Sequence, residues 1–165
     1  MSKTITKAET PQIGEKAPDF EAFDQDGKKI SLKQFKGKEL VLYFYPKDNT
    51  PGCTKEACSL KERYSTFKKK SISIIGVSKD SQQSHQKFIE KYDLPFILIS
   101  DTDKKVQEAY GVWQEKNMYG KKVMGTIRTT FIIGADQTIA HIFNKINCEN
   151  HAEEVLDKLE ELKLV

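Results

Sequence analysis

The sequence is poor in arginine and contains no long apolar run. Of its 27 basic residues only Arg63 and Arg128 are arginines, and the formal net charge is +3. Lysines and acids are nearly balanced, which indicates a mixed, solvated surface and argues against a nucleic-acid interface. No segment approaches the roughly 18 consecutive apolar residues that a membrane span needs.

Cysteine is also scarce, with only Cys53, Cys58 and Cys148 in 165 residues. An odd and low count argues against a secreted disulfide scaffold and favours a reducing compartment. Residues 1–12 are polar and lack the apolar core of a secretory signal. We therefore expect a cytoplasmic protein with a flexible tail over residues 1–12 and one domain over residues 13–165.

Several common site motifs are missing. The sequence has no Gly-rich phosphate loop and no Cys-x-x-Cys pair. These absences argue against a phosphate-binding loop and against a conventional dithiol exchange site. Of the three histidines, His85 and His141 are interpreted as surface or strand-face residues without a part in the site.

Strand and helix patterns alternate in the middle of the chain, and hairpin patterns stand near both ends. This order predicts an α/β fold in which a mixed central β-sheet is flanked by helices, with an N-terminal β-hairpin. The predicted elements are a hairpin over 19–32, a strand over 40–45, a helix over 54–69, a strand over 72–77, a helix over 81–92, a strand over 96–99, a helix over 103–110, an ambiguous strand or loop over 121–125, a hairpin over 129–143 and an amphipathic helix over 150–162.

Cys53 has the most informative position in the chain. The apolar strand 40–45 is followed by a turn that contains Pro46, Pro51 and Gly52, and a helical pattern then begins. Cys53 is thus predicted in the first turn of a helix, where free N–H groups and a partial positive charge favour the reactive thiolate. Sites in such sheets lie beyond the carboxyl ends of the strands, so fold and motif predict the same location.

Three further residues could serve this thiol. Arg128 begins the predicted buried strand Thr129–Ile133, and its charge needs a partner there, either the thiolate or a carboxylate at the strand end. Thr50 could cap the helix or face the substrate. Pro46 could screen the thiol from water or be an ordinary turn residue.

Cys58 follows Cys53 by five residues on the same predicted helix. Five helical residues span about 7.5 Å of rise and about 140° of rotation. A disulfide needs Cα atoms within about 7 Å and facing side chains. An intact helix therefore forbids a Cys53–Cys58 bond, and forming one requires its first turns to unwind. From the residues alone, a small buried helix residue and a second redox thiol both stay open.

A metal site is a further alternative, because Cys53, Cys58, Cys148 and His151 are potential zinc ligands. The helical spacing of Cys53 and Cys58 is awkward for one shared ion, and Cys148 precedes a helix of its own. We therefore interpret Cys148 as an incidental thiol and assign neither a metal nor a cofactor.

With these residues the chain resembles the peroxiredoxins. The family pattern Pro-x-x-x-Thr-x-x-Cys matches Pro46, Thr50 and Cys53. The run 44–54 is similar to the bacterioferritin comigratory protein, or peroxiredoxin Q, branch, which often carries a second cysteine five residues on. Further matching segments, within a resemblance that covers about residues 12–163, are 14–20, 111–113 and 128–131.

The resemblance implies a thioredoxin-like fold and the reduction of hydrogen peroxide and organic hydroperoxides. It implies that Cys53 is the peroxidatic cysteine and Cys58 the resolving cysteine, in a disulfide that thioredoxin reopens. It also implies that Arg128 stabilises charge, Thr50 orients the peroxide and Pro46 screens the pocket. A resolving cysteine on the same chain favours a monomer, and Cys148 is a minor alternative resolver.

Two other classes are weighed against this one. A thioredoxin-like thiol–disulfide oxidoreductase without peroxidase activity lacks its expected Cys-x-x-Cys and leaves Thr50 and Arg128 without a role. A non-enzymatic redox-sensing or zinc-binding module predicts bound metal, or a disulfide without turnover. We therefore expect a thioredoxin-dependent peroxidase.

Overall fold

The computed structural model describes residues 10–163, and the first nine residues of the predicted tail lie outside it. No helix in residues 10–163 has the length and apolarity for a membrane crossing. The strands are β1 (Glu21–Asp24), β2 (Lys29–Ser31), β3 (Leu40–Phe44), β4 (Ser73–Ser78), β5 (Ile97–Ser100), β6 (Trp113–Met118), β7 (Lys121–Thr126), β8 (Thr129–Ile133) and β9 (Ile139–Phe143). The α-helices are α1 (Pro51–Glu62), α2 (Tyr64–Lys69), α3 (Gln82–Tyr92), α4 (Lys105–Ala109) and α5 (His151–Glu161).

Seven strands form one mixed sheet in the order β2-β1-β5-β4-β3-β8-β9. The central pairs β3–β4 and β4–β5 are parallel, and the flanking pairs are antiparallel. The predicted mixed sheet and N-terminal hairpin are therefore confirmed. β3 lies inside the sheet, so its carboxyl end is a protected place for a site.

β3 separates two apolar layers. Successive strand residues point to opposite faces. Val41 and Tyr43 pack with residues of α1, α3 and α5, whereas Leu40, Leu42 and Phe44 pack with residues of α4 and the N-terminal hairpin. All five β3 residues are buried. The strand is thus covered on both faces, which explains its unbroken apolar sequence.

α1 begins earlier than predicted. Thr50 is its N-cap in extended geometry, and Pro51 is the first helical residue, where its missing N–H costs no hydrogen bond. The prediction of one continuous helix over 54–69 is wrong, because the backbone leaves helical geometry at Arg63 (φ −105°, ψ 10°) and α2 follows. The inward face of α1 is apolar, since Ala57 and Leu60 are buried in the core.

The sequence patterns missed β6. This strand pairs in antiparallel register with β7, so the ambiguous segment 121–125 is a strand. The two form a separate two-stranded sheet with exposed apolar side chains at Met118, Tyr119 and Met124. Elsewhere the predicted elements are confirmed, and the bounds of most of them shift by one or two residues.

Candidate active site

Cys53 is the third residue of α1, directly beyond the carboxyl end of β3. Its side chain is buried, with only 1% of the residue exposed. The helix starts here because Pro51 favours the first helical position and Thr50 is already extended. The thiol therefore lies where the N–H groups of the first turn lack intrahelical partners.

Arg128 contacts the thiol from the sheet. Its Nη2 donates to Cys53 Sγ at 3.3 Å, and its Nη1 donates to Glu56 Oε1 at 2.5 Å. Partial burial lowers the pKa of Arg128, but the nearby Glu56 and Cys53 outweigh it and raise this pKa above its ordinary value. Both residue types foreseen as partners of Arg128, the cysteine and a carboxyl group, are thus in contact with it, although the carboxyl belongs to α1 rather than to the strand end.

Glu56 is a buried carboxyl that sequence reasoning missed. Burial raises its pKa to about 7, against an opposing effect of Arg128. Its Oε2 has no hydrogen-bond partner, while Oε1 is held by Arg128. Because Glu56 lies three residues after Cys53, both face the same side of α1, and this spacing was the signal available in the sequence.

His151, at the start of α5, extends this buried cluster. Its Nε2 lies 2.8 Å from Thr130 Oγ1 and 3.7 Å from Glu56 Oε2, and its Nδ1 lies 3.0 Å from Glu154 Oε1. Burial lowers the pKa of His151. A neutral ring with its proton on Nδ1 donates to Glu154 and accepts from the Thr130 hydroxyl, so every ring contact is satisfied without charge.

Thr50 and Pro46 belong to the loop between β3 and α1. The Thr50 hydroxyl donates to Lys47 O at 2.9 Å and makes no capping hydrogen bond, so Thr50 stands at the N-cap position without the side-chain cap that was one of its two possible roles. Pro46 O accepts from Lys79 Nζ at 2.9 Å. A hydrogen bond within the loop and one from Lys79 therefore fix the conformation in which the loop holds Thr50 and Pro46.

Cys58 and Cys53 are both free thiols on the intact α1. Cys58 is half-buried, and burial raises its pKa above the ordinary value. The helical geometry that forbids a direct bond is therefore confirmed in the reduced state, and a Cys53–Cys58 disulfide requires the turn between them to open.

Cys148 lies beside the active site, although the sequence led us to interpret it as an incidental thiol. A Cβ atom added at Gly52 would be 3.9 Å from Cys148 Sγ and 3.2 Å from Arg128 Nη2. Burial raises the pKa of Cys148. The four zinc-ligand candidates, however, do not converge: within residues 10–163, the grouping of three or more possible ligands is Asp48, Asp80 and His85.

His85 was misjudged from the sequence as a surface or strand-face residue. It belongs to α3 and is fully buried. Its Nδ1 lies 2.7 Å from Asp48 Oδ2, and its Nε2 lies 2.9 Å from Ile99 O. A single histidine in a polar helix pattern gives no signal of burial, because the partner that stabilises it is far away in the sequence.

Sequence comparisons with known proteins identify the family of this chain. The sequence model of the AhpC/TSA family matches residues 13–142. Peroxiredoxin Bcp of Bacillus subtilis is 44% identical over 93% of this chain and 98% of its own length. Peroxiredoxin Bcp of Escherichia coli K12 is 42% identical, over 91% of this chain and 96% of its own.

Solved structures agree as well. A Cys-to-Ser mutant of Xylella fastidiosa PrxQ superposes with a TM-score of 0.86 at 35% identity, covering 92% of this chain and 96% of its own. The bacterioferritin comigratory protein of Xanthomonas campestris gives a TM-score of 0.81 at 37% identity, over 86% of this chain and 90% of its own. The chain therefore belongs to the AhpC/TSA family and is a peroxiredoxin of the Bcp, or peroxiredoxin Q, branch.

Proposed function

We propose that this peroxiredoxin reduces hydrogen peroxide and organic hydroperoxides with Cys53 as the peroxidatic residue. The observation that carries the proposal is the 3.3 Å contact from Arg128 Nη2 to Cys53 Sγ at a helix N-terminus. An alkyl peroxide reduction activity is described for the structurally similar Xanthomonas campestris protein. Buried thiol, fixed cation and free N–H groups together suit an anionic sulfur nucleophile.

In the first step the Cys53 thiolate attacks one peroxide oxygen. The S–O bond forms as the O–O bond breaks, so sulfur loses two electrons and becomes a sulfenic acid. The departing oxygen takes a proton and leaves as water or an alcohol. Arg128 stabilises negative charge on the peroxide oxygens with Nη2, the amino group that contacts Cys53. Its Nη1 is held by Glu56, which keeps the guanidinium in position.

Thr50 and Pro46 shape the peroxide pocket in this proposal. The Thr50 hydroxyl already gives its proton to Lys47 O, so its oxygen is free to accept from a peroxide O–H. Pro46 screens the thiol from bulk water. The loop thus orients the peroxide, and Arg128 supplies the charge.

Cys58 completes the cycle as the resolving cysteine. Its thiolate attacks the Cys53 sulfenic sulfur, the S–S bond forms, and the sulfenic oxygen leaves as water once it is protonated. The first turns of α1 unwind for this step, since the intact helix keeps the thiols apart. Thioredoxin then reduces the disulfide by exchange. A monomer suffices for this cycle, because both cysteines lie on one chain, and we place the reaction in the cytoplasm.

The test is to add one equivalent of hydrogen peroxide to the reduced protein and map its cysteines by mass spectrometry. Wild type is expected to give a Cys53–Cys58 disulfide, and Cys58→Ser a sulfenic acid trapped at Cys53. Cys148→Ser is the matched control and is expected to behave as wild type. A Cys53–Cys148 bond would transfer the resolving role to Cys148.

A Cys53 that does not react with peroxide would overturn the peroxidase proposal and favour the thiol–disulfide oxidoreductase. The reductant is tested separately, by following peroxide consumption with thioredoxin and its reductase or with glutathione and glutaredoxin. Turnover with the second system alone would contradict the assignment of thioredoxin.

A further inference from the structure

The active-site loop, residues 45–50, is fastened to α3 through one buried carboxylate. Asp48 Oδ1 accepts from the Tyr45 hydroxyl at 2.6 Å. Asp48 Oδ2 accepts from Ser84 Oγ at 2.7 Å and lies 2.7 Å from His85 Nδ1. Ser84 and His85 belong to α3, so Asp48 joins the loop to a helix that carries none of the family-motif residues.

His85 bonds to the loop through one ring nitrogen and to β5 through the other. Its Nε2 faces the carbonyl oxygen of Ile99, which can only accept, so Nε2 carries a proton. Its Nδ1 lies 2.7 Å from Asp48 Oδ2, so the two side chains share a hydrogen bond. His85 and Asp48 therefore form a buried hydrogen-bonded pair, and removing one partner leaves a buried polar atom of the other unpaired.

The backbone of the loop is held from the same side. Asp48 N donates to Asp80 Oδ2 at 2.8 Å, and Lys79 Nζ donates to Pro46 O. Asn49 has a left-handed φ of 59°, which is uncommon for a residue with a side chain. Its Oδ1 accepts from the Tyr92 hydroxyl at 3.2 Å, which ties this residue to α3 as well.

The cluster is explained without a metal ion. Asp48, Asp80 and His85 place ligand atoms within 4.8 Å of one another. Each of these atoms already has a hydrogen-bond partner in the protein, which for Asp80 Oδ2 includes the Ser78 hydroxyl at 2.6 Å. These contacts are those of a structural anchor.

We propose that Asp48 and His85 are a positioning pair for the peroxidase reaction, an inference that rests on the proposed function. Pro46 lies two residues before Asp48 and Thr50 two residues after it, so the anchor stands between the two residues that shape the peroxide pocket. Neither Asp48 nor His85 touches the peroxide. The pair acts by holding the loop against α3 while α1 carries the thiol.

The proposal predicts a selective loss. Arg128 contacts Cys53 directly and not through the pair, so the thiol keeps its reactivity toward a small alkylating agent such as iodoacetamide. Peroxide reduction needs a defined pocket, and a displacement of about 1 Å can cost about 100-fold in rate. We expect Asp48→Ala and His85→Leu each to slow Cys53 oxidation by peroxide about 10- to 100-fold, with alkylation changed less than about twofold.

The test measures both rates on the full chain, by rapid quench and mass spectrometry, with the melting temperature of each variant. Asp48→Asn keeps the shape and one of the two acceptor oxygens, so it should retain more activity than Asp48→Ala, and it serves if the alanine variant does not fold. The double variant Asp48→Ala/His85→Leu should lose no more than the worse single variant, because the pair acts as a unit.

Ser81→Ala is the matched control. The Ser81 hydroxyl accepts from Ser84 N at the start of α3, so its loss destabilises this helix without touching the pair. Its peroxide rate should stay at the wild-type value. Equal peroxide rates in wild type and Asp48→Ala, or a parallel fall of both rates, would overturn the positioning role. A wild-type Cys53 inert to peroxide would instead contradict the proposed function.

Discussion

Arg128 Nη1 lies 2.5 Å from Oε1 of the buried Glu56, one helical turn beyond the Cys53 thiol. The same guanidinium holds Cys53 Sγ with its other amino group. The fork geometry of arginine permits these two contacts at once, and a single ammonium group does not reproduce it. Arg128 therefore serves two partners at once, the Cys53 sulfur and the Glu56 carboxyl, at the centre of the site.

Arg128→Lys tests the value of the fork. A lysine cannot serve Cys53 and Glu56 together, so we expect Cys53 oxidation to slow by about 100-fold, the usual effect of losing one donor to a developing charge. Arg63→Lys is the control, because Arg63 is the other arginine and holds Glu153 on the surface. Stopped-flow measurements of Cys53 oxidation by peroxide compare both variants with wild type. An Arg128→Lys rate equal to that of Arg63→Lys would contradict a role for the fork.

Glu56 makes stability depend on pH. Its pKa is raised from 4.5 to about 7 in the folded state, so the folded chain binds a proton that the unfolded chain releases. The stability that Glu56 contributes is full below about pH 4.5 and declines as pH rises to about 7, by on the order of 3 kcal/mol. Urea unfolding at pH 5 and pH 7.5 measures this decline in the free energy of unfolding, and Glu56→Gln should remove it. Glu153→Gln, an exposed acid, should keep it.

His151 should have the opposite sign. Burial lowers its pKa, so the folded chain resists protonation that the unfolded chain accepts near pH 6.5. The stability that it contributes is present above that pH and is lost as the pH falls below it. In acid unfolding between pH 7 and pH 5, His151→Gln should therefore lose less stability than wild type does. A steeper loss in the variant would mean that His151 is charged in the folded protein.

Gly52→Ala should disturb Arg128 without changing a charged residue. The added Cβ would be 3.2 Å from Arg128 Nη2, so the guanidinium must shift away from Cys53. We expect slower peroxide oxidation, by about three- to tenfold, or roughly 1 kcal/mol. Lys55→Ala, at an exposed position of the same helix, should leave the rate unchanged. An unaltered rate in Gly52→Ala would show that Arg128 has room to accommodate the methyl group.

The sequence predicted the elements that follow strong patterns. β3 is an unbroken apolar run, and Pro51 marks the start of α1, so the position of Cys53 beyond the sheet followed from local chemistry alone. β6 was missed because its residues are mainly polar or charged and half-exposed, and it is stabilised by pairing with β7 rather than by burial. The break at Arg63 has no glycine or proline to announce it.

The sequence did not predict the buried polar residues, for a different reason. Glu56 and Asp48 are residue types that usually face solvent, and histidine has no strong preference for the interior. Each of these residues and His85 is buried with a partner from another part of the chain that compensates it. Arg128 was foreseen because arginine is rare in this chain and a buried strand follows it. Pairings of this kind depend on the tertiary fold, which local sequence patterns do not encode.

The position of Glu56 between Cys53 and Cys58 would link the proposed redox cycle to the proton balance of the protein. A disulfide between these cysteines would unwind the turn that carries Glu56, which would separate this carboxyl from Arg128 and expose it to water. A pKa of about 7 would then return toward 4.5, and the carboxyl would release its proton near neutral pH. Reduction of the disulfide takes that proton up again, so the reduction potential of this peroxiredoxin should vary more steeply with pH than that of the two thiols alone.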